Sequence, residues 1–341
     1  MGALEAFRPL AVSRRGGLAE SWHGGAIAVV GAGGSAVASV GDPAVATFAR
    51  SAAKPFQAIA MLGFGLSRWE LDDADLALVC ASHSGMPVHV ARAAALLERA
   101  GLDEGSLRCG AHRPLDEDAA RDLDRAGRLP GALENNCSGK HAGMLLACLA
   151  AEADRETYLD VDHPLQRRVL DEVARFAGLA PERVGIGVDG CGVPAFHLPL
   201  RALALAYARL AAPETVSRSP EHEGWVRRVH RAMTAAPEMV AGPGRFTTAL
   251  MCATDGRLLA KEGAQGVYAV SLPDPGRGLV VKIADGGETC RDAVVLEALH
   301  QLDALSDAEL LELAPYRSRT LRNWVGREVG DVVVDFRLRF V

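Results

Sequence analysis

Apolar positions follow a two-residue alternation or short continuous runs near both ends of the chain, and a helical spacing between them. The stretch GAIAVVGAGGSAVASVGD predicts a hairpin, with strands Ala26–Val30 and Ala36–Val40 turning at Gly31–Gly34. Helices are predicted over Ala52–Leu62, Val88–Ala100, Asp116–Ala126, Gly139–Ala153, Pro164–Gly178, Pro199–Leu210 and Trp225–Ala235. Pro55 is compatible with the first of these, because a first turn has no hydrogen bond to lose there. Leu76–Ala81 and Val184–Val188 read as short strands. Strands return at Arg257–Ala260, Gly266–Leu272 and Leu279–Ala284, followed by a helix over Cys290–Leu302 and a terminal strand near Val332–Phe340. The expected fold class is α/β, a sheet flanked by helices with a helical lobe. Residues 1–341 are expected to form a single compact unit, its core built from both terminal segments with the helical region inserted.

The chain has 341 residues, 49% of them hydrophobic and 23% charged, which is ample for a large core and unlike a disordered chain. Its formal charge of −6 argues against a nucleic-acid groove. The N-terminal MGALEAFRPLAVSRRGGLAE has no continuous apolar stretch, and no later run reaches the length of a membrane span. A soluble, cytoplasmic protein without nucleic-acid or membrane partners is expected. Seven cysteines scattered over this length do not resemble a secreted disulfide framework. Among 37 basic residues only Lys54, Lys140, Lys261 and Lys282 are lysines. Arginine stays protonated, whereas a desolvated lysine can act as a base or a ligand, so these positions attract attention.

Two nucleotide motifs fail on inspection. Gly31-Ala-Gly33 is followed by Gly41-Asp42-Pro43 rather than by a full helix, and Ser138-Gly139-Lys140-His141 has Glu134 where a P-loop needs its first glycine.

Four segments carry chemistry. In Arg50-Ser51-Ala-Ala-Lys54-Pro55-Phe56-Gln57, serine and lysine three residues apart share a helix face, so a neutral Lys54 can take the Ser51 proton for acyl transfer. A capped helix with a surface lysine is the plain alternative. Cys80-Ala-Ser82-His83-Ser84-Gly85 delivers two hydroxyls and an imidazole to a turn, where Ser82 can relay a proton; an ordinary polar turn is equally consistent. Cys137 and Lys140 lie one helical turn apart in NNCSGKHAGML, and Cys191 sits in the glycine-flanked VDGCG. Two thiolates and a deprotonated amine would suit zinc. Two buried free cysteines, or a Cys137 nucleophile activated by Lys140, fit the same residues. Lys261, in KEGAQG before a strand, can lower the pKa of Lys54 by repulsion or hold a substrate carboxylate, and otherwise marks a turn. Arg245 in GPGR is a candidate carboxylate clamp or a surface ion pair. His141 and His197 read as satisfied polar groups.

The ensemble resembles the rhizobial-type L-asparaginase II family, or class 3 asparaginases, through ESWHGG, RSAAKPFQ, SHSG, NNCSGKHAGML, VDGCGVPAF, PEMVAGPGRFTT, KEGAQGV and VKIADGG in that order. The resemblance implies a serine β-lactamase- and glutaminase-like fold and hydrolysis of L-asparagine to L-aspartate and ammonia. It implies Ser51 as nucleophile with Lys54 as base, Ser82 and Lys261 completing Ser–Lys dyads. It also implies zinc held by Cys137, Lys140 and Cys191 with a water as fourth ligand, and Asp189 orienting the ligands or that water. His83, Arg245 and Asp189 are the candidate substrate contacts. A homodimer is the implied assembly. One departure is Met86, which stands where the family pattern leads one to expect an acidic residue after Ser-His-Ser-Gly. Other Ser-x-x-Lys hydrolases (a glutaminase, a D-alanyl carboxypeptidase, a β-lactamase-like enzyme) and a non-catalytic zinc-dependent binding protein are the competing readings.

Overall fold

The alternating and continuous apolar runs become strands and the helically spaced ones helices in the computed structural model, which describes residues 3–341. The N-terminal reading above starts at residues 1 and 2, which lie outside the described part. The strands are β1 (Arg8–Arg15), β2 (Leu18–Gly31), β3 (Ala36–Val40), β4 (Ala46–Phe48), β5 (Gly185–Val188), β6 (Pro194–Pro199), β7 (Leu259–Gly263), β8 (Val267–Leu272), β9 (Arg277–Ile283), β10 (Arg319–Arg322), β11 (Glu328–Val334) and β12 (Arg339–Phe340). The helices that matter below are α1 (Lys54–Phe64), α2 (Asp73–Val79), α3 (Pro87–Arg99), α4 (Glu117–Arg125), α5 (Ser138–Ala150), α6 (Pro164–Ala177), α7 (Leu200–Ala211) and α8 (Pro220–Ala235). By its internal packing the chain forms two compact units.

The first unit comprises the chain up to Ala52, Leu198–Thr215 and Ala249–Val341. Its sheet runs β10-β11-β1-β2-β9-β8-β7, with β3 added to β2 and β12 to β3. The pairings are antiparallel, and distant segments meet in them: Ala11 lies opposite Val334, and Ala28 opposite Val280. Ile27, Val29, Val280 and Val281 are fully buried, and α7 packs on β2, β8 and β9. Gly278 permits that approach, since a Cβ there would run into the backbone of Ala204 and Ala208 on α7. The predicted hairpin is present, with β2 reaching back to Leu18. The predicted terminal strand is interrupted: β11 ends at Val334, and only Arg339–Phe340 pairs again.

The second unit comprises Ala53–His197 and Val216–Thr248. It is largely helical, with β5 paired to Pro194–His197 of β6, where Ile186 lies opposite Phe196. Helix α1 is buried from Lys54 to Leu62, on all its sides, and packs against α5, α6 and α8. Gly143 lets α5 close on α2 and α1, since a Cβ there would meet Val79 side-chain carbons at 2.8 and 2.9 Å. Leu76–Ala81 is not the expected strand but the last part of α2 and the turn after it. The deciding signal is local. Asp72 accepts from Asp75 N at 2.7 Å while the Asp75 carboxylate accepts from Asp72 N, a reciprocal cap that starts a helix and commits the short apolar run to it.

Candidate active site

Ser51 belongs to the first unit, in a 3-10 turn over Arg50–Ala53. Arg50 has φ +49°, a left-handed conformation that non-glycine residues adopt at a cost and that tends to occur at working sites. The turn is held in place: Tyr207 O–H donates to the Ala52 carbonyl at 2.8 Å. A Cβ on Gly263 would lie 2.6 Å from the Ala49 carbonyl oxygen, so the end of β7 rests directly against the turn. Two residues earlier on β7 is Lys261, fully buried, with Nζ 2.9 Å from Glu262 Oε1 and 3.1 Å from the Glu262 carbonyl oxygen. Lys261 therefore carries its own counter-ion, which a purely repulsive role does not require. Lys282 is structural, its Nζ donating to the carbonyls of Gln265 and Ile283.

The turn runs without a break into α1 at Lys54, whose amine is buried in the second unit. Lys54 Nζ meets the Ala81 carbonyl oxygen, Ser82 Oγ at 3.0 Å and Cys137 Sγ at 3.2 Å. The serine and the thiol predicted from separate motifs thus converge on one amine. Asn135, which the sequence reading passed over, shapes this corner: its Oδ1 accepts from Cys137 N at 2.8 Å, and its Nδ2 donates to the carbonyls of Cys109 and Gly110 at 3.0 Å each. The Asn-x-Cys spacing of a side-chain turn is the signal that could have identified it.

Lys140 Nζ lies 2.9 Å from Cys191 Sγ, and both are buried. Cys137 donates to Cys191, so the pair holds one proton: this bond, with burial, pushes Cys137 up to about 12. The same bond, helped by the charge of Lys140, pushes Cys191 down to about 4. Burial opposes the charge on Lys140, but the two sulfurs outweigh it and hold its pKa above the usual lysine value. Cys191 is presented by a tight turn, Gly192 N donating to the Asp189 carbonyl at 2.9 Å with Gly192 at φ +90°. Asp189 is half-buried, and its Oδ1 accepts from Gly190 N at 2.6 Å.

His83 is fully buried and engaged on both ring nitrogens. Gly85 N donates to Nδ1 at 3.1 Å, which leaves Nε2–H to donate to Ser138 Oγ at 2.9 Å. Burial, then the neighbouring His89 and Lys54, holds its pKa well below the ordinary value, so the ring is neutral. The imidazole offered for substrate contact is thus committed inside the chain. The Ser82–Gly85 turn is clamped to a second loop: Ser82 N donates to the Val240 carbonyl at 2.9 Å, and Ser84 Oγ to the Ala241 carbonyl at 2.7 Å. Arg245, half-buried on that loop, reaches Ser84 Oγ at 3.5 Å.

Among the described residues, no three His, Cys, Asp or Glu side chains are grouped to hold a metal. The Cys137–Cys191 pair supplies two such residues, and the group beside Cys191 is the Lys140 amine. Among the described residues, no helix is long and apolar enough to cross a membrane.

The family model described as L-asparaginase II matches residues 11–334. Among solved structures, Mglu in its native form in the presence of 4.3M NaCl is 18% identical, with a TM-score of 0.42 over 82% of this chain and 60% of that one. Mglu in its glutamate form is 17% identical, with a TM-score of 0.45 over 82% and 61%. A beta-lactamase from Mycobacterium bovis is 16% identical, with a TM-score of 0.40 over 86% and 95%. The chain therefore spans about 60% of the length of Mglu. No curated protein matches it.

Proposed function

The chain belongs to the L-asparaginase II family and is a hydrolase of that family; from that premise we propose that it releases ammonia from the side-chain carboxamide of L-asparagine through an acyl-enzyme on Ser51. The observation that carries the reading is the family match over residues 11–334, which contains every residue invoked here. The contacts of Lys54 support it, because they place a buried amine within 3.0 Å of the Ser82 hydroxyl.

The chemistry runs in two halves. Ser51 Oγ bonds to the carboxamide carbon while its proton passes to Lys54, directly or through Ser82. Backbone N–H groups take the charge on the tetrahedral oxygen. The C–N bond breaks, Lys54 or Ser82 returns the proton to the departing nitrogen, and ammonia leaves. Water then adds to the ester carbon, giving L-aspartate and free Ser51. Arg245 is assigned to a substrate carboxylate. Lys261, paired with Glu262, is assigned to the Ser51 turn that its strand supports.

Cys137, Lys140 and Cys191 fit zinc by the chemistry of their donors, two soft sulfurs and an amine gathered in a buried place. To become a ligand, Lys140 must first give up the proton it shares with Cys191. When bound, zinc would supply a fixed positive charge and lock the three donors, with Asp189 orienting them. A second copy of the chain is the expected partner.

Purified protein should release ammonia from L-asparagine faster than from L-glutamine, carry zinc by elemental analysis and sediment as a dimer. Ser51→Ala should lose turnover with its circular dichroism intact. Near-normal turnover by that variant would overturn the scheme.

A further inference from the structure

His141 stands one residue beyond Lys140 on α5 and is fully buried. Its protonation is dictated by a chain of donors. Arg108 N–H donates to Tyr158 Oη at 3.0 Å, and Tyr158 Oη lies 2.8 Å from His141 Nδ1. The phenol oxygen accepts from a backbone N–H, and among the described residues the one acceptor within reach of its own hydrogen is Nδ1, so the phenol donates to Nδ1 and the ring proton resides on Nε2. The tyrosine is well anchored: it is fully buried, its carbonyl accepts from Gln166 Nε2 at 2.7 Å, and its ring meets His141 edge-on with centroids 5.6 Å apart.

The consequence is a buried N–H donor that no described residue accepts from. Leaving such a donor unmet is costly, and a buried site with polar neighbours is where a bound water settles. The charged groups that act on this ring are Lys140, Cys137, Lys54 and Asp189, the members of the cluster described above.

We propose that His141 is a positioning residue: the Arg108–Tyr158 relay fixes it as the Nε2–H tautomer, and that N–H holds an ordered water beside the Cys137–Lys140–Cys191 cluster. The water ties the imidazole to the donors on the same helix and steadies Lys140. The inference rests on the reading of that cluster as the zinc-binding part of an asparagine hydrolase, yet its first test does not depend on turnover.

Nitrogen-15 spectra of the wild-type protein with labelled histidine should show His141 as a neutral Nε2–H ring with a long-lived water cross-peak. A Nδ1–H or charged ring, or no water cross-peak, overturns the proposal. In Tyr158→Phe the ring should gain Nδ1–H population. His141→Gln keeps an N–H at the far end of the side chain and should hold zinc affinity and kcat/KM within a few-fold of wild type. His141→Leu should lose about tenfold or more in zinc affinity, the usual scale for a group that orients ligands. A folded His141→Leu that binds zinc and turns over as wild type would also overturn it. If wild type releases no ammonia from asparagine, the functional reading fails, while the tautomer, water and zinc measurements still decide the role of His141.

Discussion

At the scale of single residues, the most consequential contact is between Lys140 and Cys191, an ammonium facing a thiolate with both side chains removed from water. Removing one partner of such a pair leaves the other charge uncompensated in the interior. Cys191→Ala should therefore destabilise the protein by about 3 kcal/mol in urea unfolding, whereas Cys191→Ala combined with Lys140→Met should recover most of that loss. Equal stability for the single and double variants would show that Lys140 reaches another partner. Lys140→Arg tests a different property. A guanidinium retains its proton, so this variant should keep its fold and fail to bind zinc in a metal-competition titration. Such contacts account for lysine at particular positions. Lys54, Lys140 and Lys261 are all buried with specific partners, while Lys282 donates to the backbone carbonyls of Gln265 and Ile283. Lys261 shows where residue-level reading stopped short: its counter-ion is the next residue in the chain, yet whether neighbouring side chains pair depends on the strand they occupy.

At the scale of elements, α2 and α5 show how local and packing signals divide the work. The cap at Asp72 decides that α2 is a helix, and replacing it with alanine should cost about 1 kcal/mol. Burial alone would raise the Asp72 pKa, but the Asp75 N–H and Arg92 outweigh it, and the folded value lies below that of the unfolded chain. The unfolded state then binds the proton more readily, so the contribution of Asp72 is present above the ordinary carboxylate range and vanishes as pH falls through the lowered folded value. Urea midpoints of wild type and Asp72→Ala should accordingly differ at pH 7 and converge in strong acid; a gap that persists would assign the effect to something other than ionisation. On α5 the constraint is space. A Cβ on Gly139 would sit 2.5 Å from the Leu78 carbonyl oxygen, which is backbone and cannot swing aside. Gly139→Ala should therefore cost about 2 kcal/mol and loosen the helix that carries Lys140, despite alanine's better helix propensity. A thermal scan showing an unchanged or raised Tm would refute that account.

At the scale of the whole molecule, the sheet depends on segments from opposite ends of the chain, with β1 lying between β2 and β11. Pairing residues more than three hundred positions apart incurs a large entropy loss before any packing is gained, which predicts slow refolding of the first unit. A chain ending at Ser318 would lose β10, β11 and β12 and expose the hydrogen-bonding edge of β1. That truncated protein should aggregate and lose its cooperative unfolding transition, whereas removal of a dispensable tail would leave the transition in place. What the sequence alone determined was most of what near neighbours control: the helices marked by prolines, glycine stops and helical spacing, the glycine hairpin after β2, and the segments rich in reactive side chains. What it left open was one locally capped helix and the features set by residues far apart. The run Leu76–Ala81 was ambiguous because a short apolar stretch suits either a strand or a helix. The meeting of Lys54 with Cys137, the bond from His83 to Ser138 and the relay through Arg108 and Tyr158 were invisible because they join residues 83, 55 and 50 positions apart. Local backbone preferences act over one or two turns of chain, but a side chain's hydrogen-bond partner is chosen only when packing has brought distant segments together and removed the water that would otherwise have served.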